Sequence, residues 1–181
     1  MENFKKITEE MFYDENFDID ENIVEKVYID IFGNSCDFGG ALKYSLVDCE
    51  SPIEQLLAVE LERINLTGMI FYNPFIDVVA IEKQAWIECE KEKYRVDFLI
   101  PVVYKNQENK MFVVECDGHE FHQKTKEQVE KDNERTRNLQ KAGYEVIRFS
   151  GTEIWHKSYQ CACEIRNLIL SKCKYQKNEV E

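Results

Sequence analysis

Two apolar runs, each broken by carboxylates, constrain the fold of this 181-residue chain more than any other feature. The first reads Tyr94-Arg95-Val96-Asp97-Phe98-Leu99-Ile100, the second Phe112-Val113-Val114-Glu115-Cys116-Asp117-Gly118. Both are rich in β-branched and aromatic residues, and both have the length of buried strands. A charge inside such a run is costly to bury unless something pairs with it. Glu115 and Asp117 are two apart, so a strand places both on one face. If the two runs form a hairpin across the polar 105–110 loop, Asp97 comes near Glu115. Three carboxylates at the end of an apolar sheet repel one another where solvent is scarce. A hard divalent cation with oxygen ligands relieves that repulsion, which is the preference of Mg²⁺, with Mn²⁺ as a substitute. Such a cation activates water and stabilises phosphoryl charge. Two plainer readings stand beside this one. Asp97 is a paired structural acid, and Glu115 with Asp117 is a solvated strand end.

The flanking sequence supplies the elements that would hold these strands. Ser51-Pro52-Ile53-Glu54 has the pattern of a helix start: Ser as cap, Pro at the first helical position, Glu three residues after the cap. Ile53, Leu56, Leu57, Leu61 and Ile64 then form an apolar stripe that predicts a helix to about residue 65. Glu54 either completes the capping box or turns to a cation. Strands are predicted over 84–90, 93–104, 111–116 and 144–149, and 75–81 is read as an additional strand. Trp86 breaks the alternation of Ala85, Ile87 and Cys89, and Trp86 and Trp155 are both assigned to the core. Residues 124–142 are rich in helix formers, with Gly143 suited to the C-terminal cap. A last helix is expected over about 153–172. Antiparallel hairpins followed by a strand–helix–strand crossover predict an α/β fold, with a central mixed four-stranded sheet flanked by helices.

At this point a resemblance emerges. Asp97, then Glu115-x-Asp117, with Glu54 on a preceding helix, resembles the PD-(D/E)xK restriction-endonuclease-like superfamily. The stretch VVECDGHEFH, followed by KDNERTRNLQKAGYEVIRF, is similar to its branch of very-short-patch-repair-like endonuclease domains. That branch carries an acidic pair and Gly before a His, an Asp/Arg-bearing helix and a Gly-x-x-Val-x-Arg-Phe strand. The matching residues are Glu115, Asp117, Gly118, His122, Asp132, Arg135, Gly143, Val146, Arg148 and Phe149, within a resemblance that covers about residues 51–157. It implies an αβββαβ core and a Mg²⁺-dependent endonuclease acting on nucleic acid, with DNA the expected substrate. Asp97 and Glu115 are implied as primary metal ligands, with Glu54 binding directly or through water. Asp117 stands where the superfamily usually has a lysine, and helps hold a second ion in this reading. The missing positive group falls to Lys124, Lys126, Lys131 or His122, and His122 is favoured as acid/base or phosphate contact. Lys124, Lys131, Arg135 and Arg148 are the candidate nucleic-acid contacts.

Charge tests that reading. The net charge is −12, yet residues 1–50 hold 13 acids against 4 bases, while residues 51–181 hold 22 against 19. The acidity is therefore concentrated in an N-terminal extension, for which a short helix is predicted over 21–32. The remainder divides into a nuclease-like domain over 51–175 and a polar tail over 176–181. The near-balanced domain is compatible with a nucleic-acid substrate but predicts weak non-specific affinity. The acidic extension supports a second reading, a binding or inhibitory module that acts through a protein partner. A third joins the two, with the extension covering the cleft. Glu127, Glu130 and Glu134 interleave with the bases of the 124–141 run, which reads as a solvated helix face. Seven cysteines without a CxxC pair, and no zinc-like spacing around Cys116, His119 and His122, point to reduced thiols. A charged N-terminus and the lack of an 18-residue apolar stretch predict a cytoplasmic protein without a membrane span. No GxxxxGK[ST] loop is present, so NTPase activity is not expected.

Overall fold

Ser51 and Pro52 open a helix where their pattern predicts one, α1 (Pro52–Leu66). The computed structural model describes residues 46–66, 73–90, 92–118 and 125–173. The predicted 21–32 helix, His119, His122, Lys124 and the polar tail lie outside the described residues. After α1 come β1 (Ile76–Val79), β2 (Glu82–Glu88), β3 (Lys93–Tyr104) and β4 (Lys110–Asp117). Then follow α2 (Lys126–Lys141), β5 (Glu145–Ser150) and α3 (Gly151–Ser171). The long β3 organises the sheet. β1 pairs antiparallel with its far end and β2 with its near end, both on one edge. β4 takes the other edge antiparallel, and β5 lies parallel to β4. The sheet is mixed and α/β as expected, but it has five strands rather than four. The 75–81 segment supplies the fifth because Ile76 and Val79 are buried against the end of β3.

Local chemistry explains the helix ends. Thr125 caps α2 in a reciprocal capping box with Gln128. Gly143, at φ +93, ends that helix by accepting a left-handed backbone that other residues resist. α3 starts two residues before its expected position, because Ser150 and Glu153 form a second capping box at the end of β5. Gly151 is closely packed there. A Cβ at that position would lie 3.2 Å from both the Asp117 carbonyl oxygen and Ile53 Cδ1. Three elements therefore meet at the end of β4: the start of α1, the start of α3 and the Asp117 backbone.

The helices cover opposite faces. Phe98, Ile100, Val102, Phe112, Val114 and Phe149 face α1 and α3, which fill that side with Leu56, Leu57, Ile64, Ile154, Ile165 and Ile169. On the other face Ile87, Val96 and Val113 meet Leu139 of α2. Trp155 packs against the large cluster, as expected. Trp86 does not: it is 61% exposed, because it points away from the Ile87 face to a side of β2 that no described helix covers. Lys93 lies 5.6 Å from its ring centroid instead. None of the described helices is long and apolar enough to cross a membrane.

Candidate active site

Residues two apart in a strand share a face, and both β2 and β3 violate that rule at the same point. Phe98 faces α1, yet Val96 joins the small cluster beneath α2. Opposite them, Lys83 pairs with Glu62 of α1, yet Ala85 packs on the α2 side. The register runs Lys83↔Phe98 and Ala85↔Val96. Gln84 and Asp97 therefore sit opposite each other, at the position where both strands change face. Gln84 absorbs the change with φ +52, a left-handed backbone inside a strand.

This twist aims Asp97 at the seam between β3 and β4. Their ladder ends at Phe98↔Val114. Beyond it, the Cys116 backbone N–H donates to Asp97 Oδ2 at 2.6 Å, where a strand carbonyl would otherwise accept. Gln84 Nε2 donates to Asp97 Oδ1 at 3.4 Å and to Glu54 Oε2 at 2.6 Å. Glu54 divides its two oxygens. Oε1 accepts from the Ser51 hydroxyl at 2.6 Å, while Oε2 takes both Gln84 and the Glu50 backbone N–H. Cap and site are thus served by one carboxylate, and Glu54 is buried.

Glu115 and Asp117 share the α2 face of β4, as their spacing predicts. Glu115 is 5% exposed, and its Oε1 accepts from Arg135 Nη2 of α2 at 2.8 Å. The same Nη2 also bonds the Arg95 carbonyl, and the guanidinium lies over the Tyr94 ring. Arg135 Nε is buried and has no hydrogen-bond partner among the described residues. Asp117 is gripped by Arg148 of β5 through Nε at 3.1 Å and through Nη2, and Arg148 Nη1 reaches Thr136 Oγ1. A cleft of about 330 Å³ opens beside this pair, lined also by Val129, Asp132, Thr136 and Ser150.

Burial sets the protonation of the acids. It pushes the Asp97 carboxyl up to about 6, against the Cys116 amide, while the charge of Glu54 adds to the rise. It pushes Glu115 up to about 7, with Arg135 opposing and Asp97 adding. The Cys116 thiol, buried beside them, is pushed well above its ordinary value. Arg148 is raised: burial works against its charge, but the hydrogen bond and charge of Asp117 outweigh that cost.

Glu54 and Asp97 are thus bridged by Gln84, and Asp97 repels Glu115, which Arg135 holds from α2. Hard oxygen donors short of positive charge fit a divalent cation in chemistry. They are not a finished cage, because no group of three His, Cys, Asp or Glu among the described residues is gathered to hold an ion. Lys126 and Lys131 are exposed on α2, and neither of these lysines has a described contact with the acids. Sequence reasoning missed Gln84 and Thr136. Both are polar residues at strand or helix positions that look solvated until the register is known.

Residues 78–169, half of the chain, match the family model described as REase_MTES_1575, a restriction-endonuclease-like family. The match supports the PD-(D/E)xK superfamily and does not reach its very-short-patch-repair-like branch. Comparisons with curated proteins and with solved structures returned no match.

Proposed function

The chain belongs to this restriction-endonuclease-like family, and on that premise we propose that it is a Mg²⁺-dependent nuclease that cleaves DNA phosphodiester bonds at Asp97 and Glu115. The observation that carries the reading is the two proton-hungry carboxylates at the seam of β3 and β4, Asp97 half-buried and Glu115 buried, with the charge of Asp97 felt by Glu115. A burial cost of this kind is retained at sites that do chemistry. When bound, Mg²⁺ would supply Lewis-acid stabilisation of the phosphoryl charge and a water more acidic than in bulk. Asp97, Glu115 and Glu54 are the residues to hold it.

The remaining roles fall to the protein's own cations. Arg135 sits on Glu115 with its side chain partly exposed, which supports a contact to a phosphate oxygen. Asp117 and Arg148 form a pair at the end of β4, where the superfamily usually places a lysine. Arg148 supplies positive charge beside the cleft, and Asp117 orients it. The favoured acid/base, His122, follows closely in sequence, and Lys124 and Lys131 extend the phosphate contacts.

The test combines metal binding and nicking of supercoiled DNA. The wild-type protein is expected to bind Mn²⁺ at millimolar concentration or below and to nick with Mg²⁺ or Mn²⁺. Asp97→Asn and Glu115→Gln should lose about a thousand-fold in rate while keeping their circular dichroism and a cooperative melt. An Asp97→Asn protein with full metal-dependent activity refutes the assignment. A folded wild-type protein that binds no metal favours a nuclease-like binding module instead.

A further inference from the structure

We propose that Gln84 is a positioning residue that braces the Glu54 and Asp97 carboxylates in the metal-free protein by placing its amide nitrogen between them, and that a divalent cation displaces it on binding. The inference rests on the metal-site reading above and adds a residue to it.

Three observations carry the proposal. First, Gln84 Nε2 donates to Glu54 at 2.6 Å and to Asp97 at 3.4 Å. Ionised carboxylates only accept, so the amide must present its NH₂ end to both. Second, Gln84 holds φ +52 within β2. That conformation is uncommon for glutamine and persists where the surroundings over-determine it. Here the surroundings are the face change shared by β2 and β3 and the two acids that fix the side chain. Third, Glu54 comes from a helix and Asp97 from a strand, so no local element sets their separation. Gln84 is the described side chain that touches both.

The consequence for metal binding has a definite sign. A neutral amide satisfies lone pairs but leaves the negative charge of two carboxylates in place. A cation satisfies both, and it needs the oxygens that the amide occupies. The Gln84 bonds therefore exist in the metal-free state alone. Removing them raises the free energy of that state and leaves the metal-bound state unchanged, so affinity for metal must increase.

The experiment uses the full chain. Gln84→Asn tolerates the left-handed backbone but is too short to span both acids. Its Mn²⁺ dissociation constant, measured by calorimetry or by the EPR signal of free Mn²⁺, should fall about two- to ten-fold, the worth of one or two modest hydrogen bonds. Its melting temperature without metal should drop, and its gain on adding Mn²⁺ should exceed that of wild type. Gln84→Lys, which places a fixed cation between the acids, should abolish Mn²⁺ binding while keeping the melting temperature. Unchanged or weaker Mn²⁺ binding by Gln84→Asn, beside normal wild-type binding, overturns the displacement and leaves the metal site standing. If wild type binds no Mn²⁺, the metal reading fails and the displacement fails with it. The brace is then decided without metal, by a double-mutant cycle of Gln84→Asn with Glu54→Gln on thermal stability. Coupling between the two supports it, and additive losses overturn it.

Discussion

On the side of the sheet covered by α1 and α3, twenty-four described residues are buried in one apolar cluster, from Leu46 to Cys173. On the α2 side only Ile87, Val96, Val113 and Leu139 are. The space that further apolar side chains would fill on the second face holds Glu115, Asp117, Arg135 and Arg148. The first face excludes water from large side chains and carries the stability of the fold. The second encloses ion pairs, whose attraction roughly repays their desolvation, and so it adds little. What it provides is a set of charged groups held in fixed positions near a cleft. Asp97 and Gln84 lie on the line between the two faces, where both strands of the hairpin cross from one to the other.

This contrast can be broken most directly at its apolar half. Phe112 is fully buried on β4 beneath α1 and α3. Phe112→Ala should cost about 3–5 kcal/mol in urea unfolding. The ion pair on the opposite face predicts otherwise: replacing both partners, Glu115→Gln with Arg135→Met, should leave stability within about 1 kcal/mol of wild type, because both charges leave with their desolvation cost. A double variant as damaged as Phe112→Ala would show that the α2 face is structural after all.

The pH dependence sharpens the comparison. Folding raises Asp97 from 3.8 to about 6 and Glu115 from 4.5 to about 7. Between those values the folded protein keeps protons that the unfolded chain has lost. The two groups therefore favour folding at low pH, and that contribution disappears as pH rises towards 7 and stays absent above it. Relative to wild type, an Asp97→Asn, Glu115→Gln double variant should gain stability between pH 5 and pH 8. The gain should reach a few kcal/mol, because each tenfold change in a group's proton affinity is worth about 1.4 kcal/mol. A constant difference across that range would contradict the burial of these acids. Protons also compete with metal, so Mn²⁺ affinity and cleavage should both weaken as pH falls through 7 to 6.

Smaller effects separate the faces further. Leu139→Ala removes the α2 contribution to the small cluster and should cost about 2 kcal/mol, near the lower end for a buried leucine, because few apolar neighbours surround it. Thermal melts would register the change. Trp86→Ser, on the uncovered side of β2, should stay within about 0.5 kcal/mol. A larger loss there would mean that this face is covered in the full chain.

Much of the molecule was legible from sequence because its signals are local. Ser51 and Glu54 announce α1, and Gly143 ends α2 through backbone conformations that a few neighbouring residues decide. The carboxylates stood out as charges within apolar runs, and Glu115 and Asp117 share a face because strand geometry has a period of two. The order of elements and the likeness to restriction endonucleases follow from the same patterns.

Tertiary structure alone decided how those pieces meet. That Arg135 takes Glu115, and Arg148 takes Asp117, depends on which helix covers which face and on the parallel register of β4 with β5. Trp86 is exposed because no described helix reaches its side of β2, and nothing in its neighbours along the chain records that. Gln84 gains its place only where two strands change face together, opposite Asp97 and within reach of a helix thirty residues earlier. The sequence determined which groups are charged and which elements carry them. Their partners come from long-range pairing, which the balance of packing across the whole sheet decides and no local pattern encodes.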